Sequence, residues 1–146
     1  MRGGACYGVT GIAIADTSDL RLDGGTTTAR NGRTGLGFGG TGGLGNIAGV
    51  ILSEHNTEGA RAEDASRIAQ LIAGRMTIRN NTIGIIAENG SDIRITTEAT
   101  FTDNDTDIVL IFGSRGVFRG ITLDTTTCDK TSLLRIDNVD VTCPTP

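Results

Sequence analysis

Gly84-Ile-Ile-Ala-Glu-Asn-Gly-Ser91-Asp-Ile-Arg-Ile95 and Asp107-Ile-Val-Leu-Ile-Phe-Gly-Ser114-Arg-Gly-Val-Phe118 are two copies of one pattern. Each has an apolar run, a turn, a serine seven residues after the opening residue and then renewed alternation, and the copies are offset by 23 residues. Gly11-Ile-Ala-Ile-Ala-Asp-Thr-Ser18-Asp-Leu-Arg-Leu22 repeats the first copy at an offset of 73, about three units of roughly 24 residues. Ala48–Leu52 and Met76–Asn81 read as weaker copies, and Leu133–Val141 as a final one. Within each copy apolar residues recur at every second position, the mark of strands with one buried face. Ile93 and Ile95 face inward, while Asp92 and Arg94 face out.

Strands of four to six residues, separated by Gly, Asn, Asp and Thr, fit either an antiparallel sandwich or a coiled solenoid. A period of 22 to 25 residues holding two or three such strands favours the solenoid. Each unit then makes one rung, and rungs stack in parallel at about 4.8 Å. The expected core is Ile85, Ile93, Ile95, Ile108, Leu110 and Ile121, with Phe101, Phe112 and Phe118 stacked inside the coil.

Three segments carry a family resemblance: Ile78-Arg-Asn-Asn-Thr-Ile-Gly-Ile85, Ser91-Asp-Ile-Arg-Ile95 and Phe101-Thr-Asp-Asn-Asp-Thr-Asp-Ile-Val-Leu110. With Asn at a turn and Gly or Asp before the next strand, the chain resembles the right-handed parallel β-helices of the pectin-lyase-like superfamily. The likeness covers about residues 73–141 and 9–25. It implies an all-β, right-handed parallel β-helix and leaves function open, because enzymes, adhesins and phage tailspikes share that architecture.

Between those regions, Gly32–Gly45 reads as a Gly-rich loop, and Ala60–Ala73 as a helix. Ala65, Ile68, Ala69 and Ile72 would line one face of that helix, with Gly74 as its stop. The expected organisation is one β-helix domain over 1–146, with a Gly-rich loop over 26–47 and a lateral or capping helical insertion over 58–73. Setting those aside leaves five or six rungs.

The composition closes several routes. Gly and Thr supply 22 residues each, yet no Gly-X-Y period runs through the chain and Pro is only 2, which excludes collagen. No stretch approaches 18 apolar residues, and no basic segment leads into an apolar signal core, so neither a membrane span nor a signal peptide is visible. A formal net charge of −4 argues against nucleic-acid binding. The Gly-rich stretch matches G-x-G-x-x-G twice, but the next segment, Asn46–Leu52, reads as a strand rather than a helix, so a dinucleotide site is not expected. The single Lys, Lys130, fits no phosphate-loop pattern.

Chemistry has few candidates. Asp103, Asp105 and Asp107 are the candidate metal ligands, because alternate carboxylates on one strand face suit Ca²⁺. In a turn the same residues cap backbone N–H groups. The apolar run begins only at Ile108, which favours the turn, so neither a cofactor nor a catalytic residue is expected. His55, beside Glu54, belongs to no nucleophile or metal pattern. Arg21, Arg79, Arg94 and Arg135 read as outward residues on successive rungs, laddered with Asp19, Asp92 and Asp137: a solvated face or a carbohydrate- or protein-binding stripe. Cys128 and Cys143, 15 apart, are candidates for a bridge, but without an export signal Cys6, Cys128 and Cys143 are expected as free thiols.

Aromatic platforms for sugars are scarce, since Trp is absent and Tyr7 is the only Tyr. A short stack also exposes its two ends to a partner. The expectation is therefore a non-catalytic structural or surface β-helix, at a virion or extracellular surface. It would assemble as a homotrimer, with other virion proteins or a surface polysaccharide as further partners, as in tailspikes. The alternative is a lyase or hydrolase, or a remnant of one, acting on an acidic glycan.

Overall fold

Up to Phe118, strand follows strand in an order of three, each lying on its counterpart 23 to 25 residues earlier; Thr126–Cys128 and Leu133–Ile136 follow theirs by 18. The structure, a computed structural model, describes residues 5–6, 10–14, 19–22, 25–40, 43–47, 49–70, 74–96 and 98–144, the side chains of 5, 6, 10, 14, 19–22, 43–47 and 70 excepted. The first sheet holds β1 (Ala5–Cys6), β4 (Thr26–Arg30), β7 (Val50–Glu54), β10 (Arg75–Arg79) and β13 (Ala99–Thr102). The second holds β2 (Thr10–Ile14), β5 (Thr34–Phe38), β8 (Glu58–Ala62), β11 (Ile83–Ala87), β14 (Thr106–Leu110) and β16 (Thr126–Cys128). The third holds β3 (Asp19–Leu22), β6 (Gly43–Ile47), β9 (Arg67–Gln70), β12 (Asp92–Ile95), β15 (Arg115–Phe118), β17 (Leu133–Ile136) and β18 (Val139–Val141). All pairings are parallel except β17 with β18, so the chain is an all-β parallel solenoid.

The repeat spacings are the registers of this stack. Asp92 pairs with Arg115, an offset of 23. Thr10 pairs with Thr34, Thr34 with Glu58 and Glu58 with Ile83, which together span the offset of 73. The two weaker copies are strands of a different sheet: β7 and β10 pair with each other, Ile51 on Met76.

About three turns, 50–70, 75–95 and 99–118, run regularly through all three sheets, rather than the expected five or six. On the N-terminal side β6 pairs with β9 over two residues, and its register with β3 shifts between Leu20 and Leu22. On the C-terminal side residues 119–125 add no strand to the first sheet. Leu133–Val141 is not a further rung but a fold-back, with β18 antiparallel on β17.

The expected helix over 58–73 is absent: Glu58–Ala62 and Arg67–Gln70 are strands, and no helix occurs among the described residues. Ala60, Ala62 and Ile68 point into the core at strand spacing. Asp64 and Ala65 at the corner between them have φ of 54° and 63°, which a right-handed helix excludes. Ile72 and Ala73 lie outside the described residues. The Gly-rich loop over 26–47 is likewise strand, in β4, β5 and β6. One of its glycines, Gly35, serves close stacking. Gly11, Gly35, Gly59 and Gly84 form one column of the second sheet, where an added Cβ would lie 2.5–2.6 Å from a carbonyl oxygen of the next turn.

Inside the coil, Ile85, Ile93, Ile95, Ile108 and Leu110 are fully buried and Ile121 nearly so, as expected. Phe101 and Phe118 meet edge to face with ring centroids 6.4 Å apart. Phe112 departs from the expectation: it occupies a left-handed corner, φ 56°, and is 63% exposed, because the chain leaves β14 there and swings toward the third sheet.

Candidate functional site

Many of the described polar side chains hold rungs together. Asn31, His55, Asn80 and Asp103 occupy one left-handed corner position after the first sheet, φ 53–58°, in successive turns. Asn and Asp tolerate that conformation, which places His55 and Asp103 by backbone geometry. His55 is exposed, its Nδ1 3.9 Å from Glu54 Oε2. Glu54 is buried and already held by Arg79, whose Nη2 donates at 2.7 Å and Nε at 2.9 Å.

One residue further along, Asn56, Asn81 and Asn104 make a ladder. The N–H groups of Gly32, Asn56 and Asn81 donate to the Oδ1 of the next asparagine at 2.9, 2.9 and 3.1 Å. Each asparagine Nδ2 donates back to a carbonyl of the preceding turn: Ala29, Ser53 and Ile78, at 3.1, 3.2 and 3.1 Å. Ser66, Ser91 and Ser114 form a second buried column whose Oγ atoms donate to backbone carbonyls.

The aspartate cluster divides. Asp103 and Asp105 are exposed. Asp107 is buried and takes the position where the glycine column ends. It accepts from Asn104 Nδ2 at 3.0 Å and from the N–H of Asp124 at 2.8 Å. Among the described residues no three His, Cys, Asp or Glu side chains are grouped as a metal site.

A second charged knot lies on the outer side of the second sheet. Arg61 donates to Glu58 at 2.7 Å, to Glu63 at 3.0 Å and to Glu88. Burial pulls the Arg61 pKa down, but the Glu63 hydrogen bond and the charges of Glu58 and Glu88 outweigh it and leave the value raised. These carboxylates are bound to an arginine rather than open to a substrate.

The candidate site is a groove on the outer face of the third sheet, enclosing about 220 Å³ and lined by Asp92, Arg94, Arg115, Val117, Arg119, Arg135 and Asn138. Register builds it. Arg94, Val117 and Arg135 are partners in three successive strands, so the two arginines stand about 9.6 Å apart, two rungs, with short Val117 between them as floor. Arg115 pairs in register with Asp92 and closes one side. Arg119, just after β15, closes the other, its Nη2 donating to Asn138 Oδ1 at 2.9 Å. Arg135 Nε donates to Asp140 Oδ1 at 2.7 Å, and that contact raises the arginine's pKa and lowers the aspartate's. Arg94 has no ion pair among the described residues.

Of the expected arginine stripe, Arg94 and Arg135 therefore belong together. Arg79 does not, because it lies on the first sheet against Glu54. Asp92 borders the groove, but Asp137 bonds the Gly120 N–H instead of an arginine. The side chains of Arg21 and Asp19 lie outside the described residues. Arg115 and Arg119 do not stand out in the repeat, since their rung carries Val117 where its neighbours carry arginine.

Cys128 and Cys143 are disulfide-bonded, Cα atoms 5.6 Å apart, against the expectation of free thiols. The fold-back supplies the reason: the Cys128 N–H donates to Pro144 O at 2.9 Å, which brings the tail alongside β16. The side chain of Cys6 lies outside the described residues.

The chain matches no family model, no curated protein and no solved structure. What stands of the resemblance is the class, a parallel β-solenoid carrying a cationic groove on one sheet.

Proposed function

We propose that the protein is a non-catalytic structural or surface β-solenoid, a right-handed coil used as tailspikes use theirs and assembled as a homotrimer at a virion or extracellular surface. The observation that supports this reading is how the polar groups are spent. Asn56, Asn81, Asn104, Ser91, Ser114 and Asp107 all bond across or within rungs, while Glu54, Glu58 and Glu88 are held by arginines. Such groups build a rigid rod and need no cofactor. Light scattering on the eluting protein tests it: a particle three times 15.1 kDa supports the trimer, and a monomer removes it. The cationic groove favours a second reading, an enzyme or enzyme remnant acting on an acidic polysaccharide. A monomer that releases unsaturated products from pectin, alginate or a capsule would establish that alternative in place of the scaffold.

A further inference from the structure

The arginine groove concentrates positive charge on one face of the third sheet. Four arginines line the groove beside one valine floor, with Asp92 as the one carboxylate of the lining and Asp140 paired to Arg135. The groove is cationic in a chain whose formal net charge is −4. Two of the four are held in place before any ligand arrives, Arg135 by Asp140 and Arg119 by Asn138. Arg94 and Arg115 make no ion pair among the described residues, so they are the groups an incoming anion would engage first. Asp92 keeps its closest arginine contact outside the groove, with Arg67 at 3.8 Å.

We infer that this groove is a binding site for a doubly charged tetrahedral oxyanion, the head group of a phosphomonoester or sulfate ester or the free ion, seated over Val117 between Arg94 and Arg135. A lining of four arginines suits a doubly charged anion. Four arginines around one groove offer more donors than the two oxygens of a carboxylate use and suit the three or four of phosphate or sulfate, with which arginine forks pair in bidentate fashion. A groove of about 220 Å³ has room for one compact head group. The site does not depend on the trimer, so its failure and the scaffold's failure are read separately.

Calorimetric titration of the intact protein with inorganic phosphate, at an ionic strength of about 0.15 M where unspecific surface attraction is screened, tests this. Saturable one-to-one binding in the millimolar range or tighter is expected, with acetate at least tenfold weaker. Arg94→Gln and Arg135→Gln should each weaken phosphate at least tenfold; Arg94 is exposed and makes no ion pair among the described residues, so its variant keeps the fold. One pH unit below the second pKa of the titrated phosphate, most of the dianion is protonated, and affinity should fall roughly tenfold from its value where the dianion prevails. Sulfate, which keeps its charge, should hold its affinity. Tighter binding of glucose 6-phosphate than of phosphate would assign the ester as ligand, and weaker binding the free ion. No saturation by phosphate or sulfate, or unchanged affinity in both variants, overturns the site. So does Arg94-dependent binding of a polygalacturonate oligomer when phosphate fails to bind.

Discussion

Replacing Asn81 with Ala removes the middle of the asparagine ladder. Its Oδ1 accepts from the Asn56 N–H at 2.9 Å, and its Nδ2 donates to Ser53 O at 3.2 Å and to Asn104 Oδ1 at 3.1 Å. The residue is buried, so water reaches the abandoned groups poorly. Each hydrogen bond contributes about 1 kcal/mol net, and a buried N–H left without a partner costs about 1–3 kcal/mol. The expected loss is about 3–5 kcal/mol, a large share of the about 5–15 kcal/mol that holds a domain together. Asn80→Ala is the control. It is exposed at φ 53°, bears no rung of the ladder, and should cost only the left-handed penalty of about 1–2 kcal/mol. Equilibrium urea unfolding followed by far-ultraviolet circular dichroism measures both. A loss below 1 kcal/mol for Asn81→Ala, or equal losses for the two, would refute the claim that the ladder stabilises the stack.

Gly59→Ala should be among the most damaging one-methyl changes, because its Cβ would sit 2.5 Å from Gly84 O and 2.9 Å from Ile78 Cγ2; a melting temperature unchanged from the parent would count against the close column. Unfolded, unreduced protein should label at no more than one of its three cysteines, and reducing the bridge should cost about 3 kcal/mol for a loop of 15 residues; labelling at three would remove the bond. Asp129 is held at about 2, below the ordinary 3.8, by the Phe112 N–H and then by Ser132 and Thr131. Its stabilisation is complete above about 3.8 and disappears as pH falls toward 2, so Asp129→Asn should flatten the dependence of stability on pH across that window; an unchanged slope would show that the carboxylate plays no part.

The solenoid was legible because stacking imposes a period on the chain. Offsets of 23 and 73 between copies are the sums of strand registers, and alternation at Ile93 and Ile95 fixes the inward face. The Ala60–Ala73 segment misled because small residues fit both periods: Ala65, Ile68 and Ala69 share a helix face, whereas Ala60, Ala62 and Ile68 share a strand face. Only the left-handed corner at Asp64 and Ala65 decides between them, and neither residue type announces it. The glycine column was hidden for a related reason, since a glycine that avoids a carbonyl looks in sequence like one that makes a loop. Half of the groove could be read from Arg94 and Arg135 at matching positions. Arg115 and Arg119 share the outward face of Val117 by alternation, but their place between Arg94 and Arg135 comes from the lateral pairing of β15, which the alternation alone does not give.

The parallel register itself is open to a direct measurement. Thr77 and Thr100 are partners in β10 and β13, both on the outer face, whereas Thr102 is the partner of Arg79. In a Cys6→Ser background, the pair Thr77→Cys and Thr100→Cys places Cα atoms one strand spacing apart, about 4.8 Å, within the range a disulfide spans. Thr77→Cys with Thr102→Cys is displaced by two residues along the strand, beyond the roughly 7 Å limit. Mass spectrometry of the oxidised, unreduced proteins should find the first pair cross-linked within one chain and the second not. Cross-linking of the second pair alone, or of neither, would contradict the solenoid.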